Sequence, residues 1–187
     1  DNSLNKRSMG KLINLMSEFG APFFPKNKEN FPLTLTSSEI PIGINYKAGV
    51  SAQLKSSVIL AGLNANGITN ITEEKKSRNH TENMLLQSLN VLKIKKDKKK
   101  NVHIKVFGKN HLDPLKINVG GDPSSAAFFT ALTLLTPKAK LKIKHVGLNP
   151  RRIGFYSLLK KSGARIKFKN IRKINHEEVG DLEVESS

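Results

Sequence analysis

The sequence contains no cysteine and no tryptophan, and only two of its 187 residues are tyrosine. Without cysteine there is no disulfide, no thiol nucleophile and no thiolate-held metal, which fits a cytoplasmic protein. No apolar run approaches the roughly 18 residues that would suggest a membrane-spanning helix. No signal-peptide pattern opens the chain, so neither membrane nor export is expected. Acidic residues are scarce, 15 against 32 Lys and Arg, for a formal net charge of +17. Such an excess attracts polyanions, and nucleic acid has to be weighed as a partner. The basic residues are mostly lysine and aromatics are 6% of the chain. Nucleic-acid readers rely on arginine forks and stacking rings. Many of the lysines alternate with apolar residues, as in KLKIKH (Lys140 to His145), the pattern of a strand with one solvated face. The run KIKKDKKKN (Lys93 to Asn101) reads as a lysine-rich strand edge and turn, a composition that discourages edge-to-edge pairing. No nucleic-acid partner is expected, and a basic nucleic-acid-binding module stands as the alternative from a different functional class.

What is present is enough for a folded core. Hydrophobic residues make up 37% of the chain, and the length suits one medium domain or two small ones. The chain opens on Asp1 rather than Met, inside a pattern that reads as already under way, so a piece of a longer protein is expected.

Three stretches end alike: KLINLMSEFGAPFF (Lys11 to Phe24), ENMLLQSLNVLKIK (Glu82 to Lys95) and GFYSLLKKSGARIKF (Gly154 to Phe168). Gly20, Asn90 and Gly163 superpose as residues just past a helix, types that tolerate a left-handed backbone. Leu15, Leu85 and Leu158 then align, with Met16, Leu86 and Leu159 beside them, and a strand-like run follows each stop. The interval is about 70 residues, which suggests a duplicated supersecondary unit rather than a short solenoid repeat.

Between these lie two helices of another kind, in SAQLKSSVILAGLNANGITNIT (Ser51 to Thr72) and DPSSAAFFTALTLLTPKAKLKIK (Asp122 to Lys144). Ser51 and Ser124 are separated by nearly the repeat interval. Both helices are apolar on almost all sides after their first turn, so burial all round is expected. Asp122 before Pro123 should cap its helix, and Asn149 before Pro150 repeats that arrangement. Ser77 and Asn79 are both candidate caps for the helix containing Met84. The reading is α/β, with a unit of strand, buried helix, strand, outer helix and further strands occurring more than once.

Four motifs in order, SAQLKSSVILAGLNANG (Ser51 to Gly67), KKSRNHTENML (Lys75 to Leu85), GGDPSSAAFF (Gly120 to Phe129) and VGLNPRRIGFYSLLKKSGA (Val146 to Ala164), resemble 5-enolpyruvylshikimate-3-phosphate synthase, the 3-phosphoshikimate 1-carboxyvinyltransferase family. SLNKRSM (Ser3 to Met9) is similar to a family segment that usually reads Ser-Leu-x-x-Arg-Pro-Met. The Ser-Ala-Gln and Ser-Arg-x-His-Thr-Glu forms resemble the bacterial subgroup of low glyphosate sensitivity. The resemblance spans essentially the whole chain. It implies repeated βαβαββ units in two globular domains joined by a crossover, incomplete here. Residues 1–119 would be the later part of one domain, and 120–187 the crossover and first repeat unit of the other. The implied reaction transfers the enolpyruvyl group of phosphoenolpyruvate to the 5-hydroxyl of shikimate 3-phosphate and releases phosphate, with no metal or cofactor.

By the same resemblance, Arg7 and Gln53 would bind phosphoenolpyruvate, and Ser51, Ala52, Gln53 and Arg78 would bind shikimate 3-phosphate. The residue types suit anions: guanidinium forks hold carboxylate or phosphate, and Ser51 to Gln53 open a helix whose free N–H groups favour negative charge. Local sequence alone leaves plainer readings open, an exposed ion pair for Arg7 and a simple cap for Ser51. Lys55, one turn on, would add positive potential without being a ligand. Ser8 replaces the usual Pro, Asn79 stands where the family often has Asp, and His80 is assigned a structural or helix-start role. No catalytic residue is expected in this chain. The family's Lys-Ser-x-x-x-Arg motif would lie upstream of Asp1 and its catalytic Asp beyond Ser187, so the chain alone should be inactive. A close alternative is the related enolpyruvyl transferase acting on UDP-N-acetylglucosamine, which the motifs fit less well. The full-length protein is expected to be a cytoplasmic monomer.

Overall fold

The structure, a computed structural model, describes residues 2–186. They form two compact units. One comprises the residues up to Ser77 together with Ser88–Asp113, and the other Arg78–Gln87 together with the residues from Pro114 onward.

The first unit starts with α1 (Asn2–Asn5) and α2 (Gly10–Glu18), then a short antiparallel pair, β1 (Phe23–Phe24) and β2 (Thr34–Leu35). Next come β3 (Asn45–Ala48), α3 (Ala52–Asn64) and β4 (Ile68–Glu73). The chain then passes through α4 (His80–Leu85), which belongs to the second unit, and continues in the first as β5 (Leu92–Lys96) and β6 (Val102–Phe107). The sheet order is β3-β4-β6-β5, with β3 parallel to β4 and the other pairs antiparallel. Along β4 every second residue, Thr69, Ile71 and Glu73, is buried, as the two-residue period of a strand requires. Helix α3 packs over β4 and β6, and Val58, Ile59, Ile71, Ile104 and Val106 are at most 1% exposed. The lysine run falls where its composition suggests, on edge strand β5 and the turn into β6. Asp97 closes that turn by accepting from the Asn101 backbone N–H at 2.9 Å.

The second unit runs α5 (Pro123–Leu135), β7 (Lys140–Gly147), α6 (Gly154–Lys161), β8 (Arg165–Ile174) and β9 (Glu177–Glu185). Its sheet is β7-β9-β8, all antiparallel, and Gly121 adds a parallel bridge to Val146. Counting that bridge as a vestigial first strand, both sheets place their strands in the order first, second, fourth, third. The repeat read from the sequence is thus a repeated βαβαββ topology. The β7 lysines 140, 142 and 144 are exposed on one face.

The local signals hold in most places. Gly20, Asn90 and Gly163 all take positive φ, +85°, +64° and +93°. Gly20 and Gly163 directly follow the C-caps of α2 and α6, whereas α4 already stops at Leu86 and Asn90 lies in a later turn. Leu15 and Leu85 are 2% exposed but Leu158 is 64% exposed. Tyr156 and Leu159, three apart on α6, face the core, which turns Leu158 away from it. Asp122 caps α5 by accepting from the Ser124 and Ser125 N–H groups at 3.2 and 3.1 Å. The counterpart of Ser51 is therefore Asp122 rather than Ser124. Asn149-Pro150 does not cap α6, whose N-cap position is Ile153. It forms a separate turn instead, with Asn149 Oδ1 accepting from Arg151 N at 2.9 Å.

The expectation that α3 and α5 are buried all round is overturned for α5. It buries Pro123, Ala126, Thr130 and Thr133, and turns Phe128, Phe129, Leu132 and Leu135 outward at 59–82% exposure. Thr130 and Thr133 tolerate burial because their hydroxyls donate to the Ala126 and Phe129 carbonyls at 2.9 and 2.8 Å. Helix α3 keeps a buried centre but leaves Leu60 about half exposed. The core of the second unit gathers Ala126, Val146, Tyr156, Ile166, Leu182 and Val184. Tyr156 also joins α6 to α5, its buried hydroxyl donating to the Pro123 carbonyl at 2.6 Å. Tyr156→Phe in the full-length protein is expected to lower unfolding free energy by about 1 kcal/mol, measurable as a lower urea midpoint at unchanged m-value.

Candidate anion site on α3

In the first unit, Ser51 takes an extended backbone and its hydroxyl accepts from Leu54 N at 3.3 Å, capping α3. The same hydroxyl lies 3.4 Å from Gln53 Oε1. Ser51 and Ala52 are half-buried and Gln53 is exposed. Only one of the first-turn donors is taken by the cap. The rest of the turn, at the positive end of a 13-residue helix, suits an anion.

One turn on, Lys55 does not supply open positive potential, which corrects that expectation. It is fully buried and its ammonium donates to Glu73 Oε1 at 2.7 Å, both side chains being 0% exposed. The same carboxylate oxygen accepts from the backbone N–H of Ser77 at 2.8 Å and from the Ser77 hydroxyl at 2.7 Å. Burial alone would push the Glu73 carboxyl up, but the bonds from Lys55 and Ser77 outweigh it and hold the group below the ordinary carboxylate range. Ser77 is thereby a ligand of Glu73. The N-cap position of α4 falls to Asn79, whose side chain makes no cap bond. The sequence signal for this network was a lysine inside an otherwise apolar helix, which requires a buried partner. Nothing local identified Glu73 as that partner.

Arg7 is exposed on the link between α1 and α2, its N–H bonded to the Leu4 carbonyl at 3.1 Å. Ser8, standing where the resemblance expects Pro, fastens this link. Its hydroxyl donates to Glu29 Oε2 at 2.6 Å and accepts from Gly10 N at 3.2 Å, while Met9 N donates to the Glu29 carbonyl at 2.7 Å. A Cβ at Gly10 would come within 2.6 Å of the Glu29 carboxylate, so a larger residue there would displace that side chain from Ser8.

Arg78, also exposed, opens the second unit. The residues after it are held firmly. Asn79 donates to Asn83 Oδ1 at 3.1 Å and accepts from Asn149 at 3.0 Å. His80 Nδ1 lies 2.7 Å from Glu177 Oε1, and that carboxylate also accepts from Asn83 and Asn149 at 3.0 Å each. His80 thus stands at a helix start bound to a carboxylate. Asp122 is similarly committed. Besides its cap bonds it accepts from Arg152 at 2.6 Å, and the Ser124 and Ser125 donors with the Arg152 charge hold its carboxyl below the usual range. Met84, Ile117, Val119, Asp122, Arg152 and Val179 are among the residues around a cavity of about 340 Å³ in this unit.

Of the residues singled out from sequence, Ser51, Ala52 and Gln53 share one helical turn. Arg7 lies elsewhere in the same unit, and Arg78 in the other. Among the described residues no cluster of three or more His, Asp or Glu is placed to hold a metal ion. No helix among them is long and apolar enough to cross a membrane.

The family model described as EPSP synthase (3-phosphoshikimate 1-carboxyvinyltransferase) matches residues 1–187. The 3-phosphoshikimate 1-carboxyvinyltransferase of Parvibaculum lavamentivorans is 40% identical over 188 residues, covering 100% of this chain and 42% of that protein. The protein of the same name from Petrotoga mobilis is 43% identical over 189 residues, covering 100% and 43%. Among solved structures, EPSP synthase from Acinetobacter baumannii superposes with a TM-score of 0.81 at 34% identity, over 100% of this chain and 42% of that one. The enolpyruvyl transferase NikO from Streptomyces tendae matches with a TM-score of 0.66 at 14% identity, over 98% and 43%, a likeness of fold alone. The chain therefore spans less than half the length of the relatives it matches.

Proposed function

This chain belongs to the EPSP synthase (3-phosphoshikimate 1-carboxyvinyltransferase) family, and we propose that the whole protein transfers the enolpyruvyl group of phosphoenolpyruvate to the 5-hydroxyl of shikimate 3-phosphate, releasing phosphate. The observation that carries this reading is a family match over all 187 residues that includes an anion-ready helix start at Ser51. Ser51, Ala52 and Gln53 would hold shikimate 3-phosphate through the cap hydroxyl, the free N–H groups and the carboxamide. Gln53 would also reach phosphoenolpyruvate. Arg7 would bind phosphoenolpyruvate and Arg78 shikimate 3-phosphate, each as a charged fork on a multiply anionic ligand. These residues bind and orient. The groups that move protons to the methylene and from the 5-hydroxyl are proposed to lie outside residues 1–187, with Lys-Ser in the preceding sequence and an Asp in the following one.

In this reading residues 1–119 are the later part of one enolpyruvyl-transferase domain, and 120–187 are the crossover and first repeat unit of the other. The irregular stretch 110–120 contains both that boundary and the one between the compact units at 113/114. The full-length protein is proposed to be a cytoplasmic monomer without cofactor.

The test is phosphate release by the full-length protein with both substrates. Arg78→Met is expected to raise KM for shikimate 3-phosphate by about tenfold to 100-fold, and Arg7→Met to do the same for phosphoenolpyruvate, the loss of one charge-assisted contact. Turnover with UDP-N-acetylglucosamine in place of shikimate 3-phosphate would overturn the assignment. So would tight, steeply salt-dependent oligonucleotide binding with no response to shikimate 3-phosphate.

A further inference from the structure

A buried Lys–Glu pair is an expensive way to join a helix to a strand, because both charges must leave water and apolar residues of similar volume often serve stability equally well or better. Lys55 and Glu73 are nonetheless both 0% exposed. Their geometry suggests a different use. Lys55 sits one turn along α3 from Ser51, so its ammonium fixes the rotation and height of the turn that carries Ser51, Ala52 and Gln53. Glu73, the last residue of β4, spends the same oxygen on the Ser77 N–H and hydroxyl, which fixes the chain one peptide bond before Arg78. Apolar contacts are non-directional and let a helix slide or roll by fractions of an ångström. An ion pair with three hydrogen bonds converging on one oxygen is directional, and anion sites depend on such placement.

We propose that Lys55, Glu73 and Ser77 are positioning residues for shikimate 3-phosphate, holding the first turn of α3 and the chain entering Arg78 in ligand-ready geometry without touching the ligand. The inference rests on the function proposed above and adds three residues to its site. Phosphoenolpyruvate, assigned to Arg7 and in part to Gln53, should depend on the network much less.

The experiment uses the full-length protein and the double variant Lys55→Met/Glu73→Leu, which removes both charges together, alongside Ser77→Ala, which removes one hydroxyl and folds more safely. Calorimetric Kd for shikimate 3-phosphate, KM for each substrate and thermal midpoint are read for all three proteins. The expected result is a double variant within a few degrees of wild type in midpoint whose Kd and KM for shikimate 3-phosphate rise at least about tenfold, with KM for phosphoenolpyruvate changed less than about threefold. Ser77→Ala should shift the same two constants in the same direction by a few-fold. A purely structural role predicts that ligand affinity follows stability. Wild-type affinity in the folded double variant, equal losses for both substrates, or wild-type affinity in Ser77→Ala if the double variant does not fold would each overturn the inference. If wild type itself turns over neither substrate, the functional reading falls, which is distinct from an active wild type with indifferent variants.

Discussion

Lys55→Met alone, in the full-length protein, is expected to lower unfolding free energy by about 3–5 kcal/mol, because it strips a fully buried carboxylate of the ammonium paired with it. Pairing the same change with Glu73→Leu should recover part of that loss, since the stranded charge is then gone while the Ser77 N–H and hydroxyl lose their acceptor. The pH response follows from the direction of the Glu73 shift. The folded-state pKa lies below the unfolded one, so on acidification the unfolded chain takes up its proton first. The stabilisation is complete above the ordinary carboxylate range and is lost as pH falls through the depressed folded value. Glu73→Gln should flatten that part of the acid limb. Urea unfolding at several pH values measures both effects, and a Lys55→Met protein as stable as wild type at neutral pH would contradict the burial of the pair.

Gly108→Ala is expected to destabilise by about 3 kcal/mol through overpacking against backbone that has little room to move. The backbone just after β6 runs directly against the C-terminal end of α3. Gly108 N donates to the Gly67 carbonyl at 3.0 Å and Lys109 N to the Leu63 carbonyl at 2.9 Å. A Cβ at Gly108 would overlap the Ala65 carbonyl oxygen and lie 2.8 Å from that of Gly62. Relief requires pulling β6 away from α3 and breaking these bonds. Gly154→Ala is the control, since a Cβ there meets nothing within 4 Å; it should fall within about 0.5 kcal/mol of wild type. A small effect at Gly108 would show that α3 and β6 are not held at this separation.

The readable parts of this protein are those fixed by neighbours in sequence. Gly20, Asn90 and Gly163 announce left-handed turns because few residue types accept positive φ. Ser51 and Asp122 announce helix starts because their oxygens reach N–H groups two or three residues on. Alternation marks β7 and its solvated lysines. The recurrence of such signals exposed the repeated βαβαββ unit, and four motifs in order carried the family and, together with SLNKRSM, the residues proposed to bind anions.

Other features needed the sheet in place. Composition marks α5 as apolar all round, yet which face is covered depends on where β7 and β9 lie beneath it, and that face carries Ala126, Thr130 and Thr133 rather than the phenylalanines. Ser77 and Asn79 were equal candidates for a cap until Glu73, at the end of β4, claimed Ser77. Lys55 was expected to add positive potential beside Ser51, because its partner is 18 residues away on a different element and no local signal names it. Local backbone preference and side-chain reach act over a few residues, so the sequence by itself determines turns, caps, strand periodicity and the repeat. Which faces are buried, and which charges must therefore pair, are set by contacts between distant segments, and only the tertiary structure decides them.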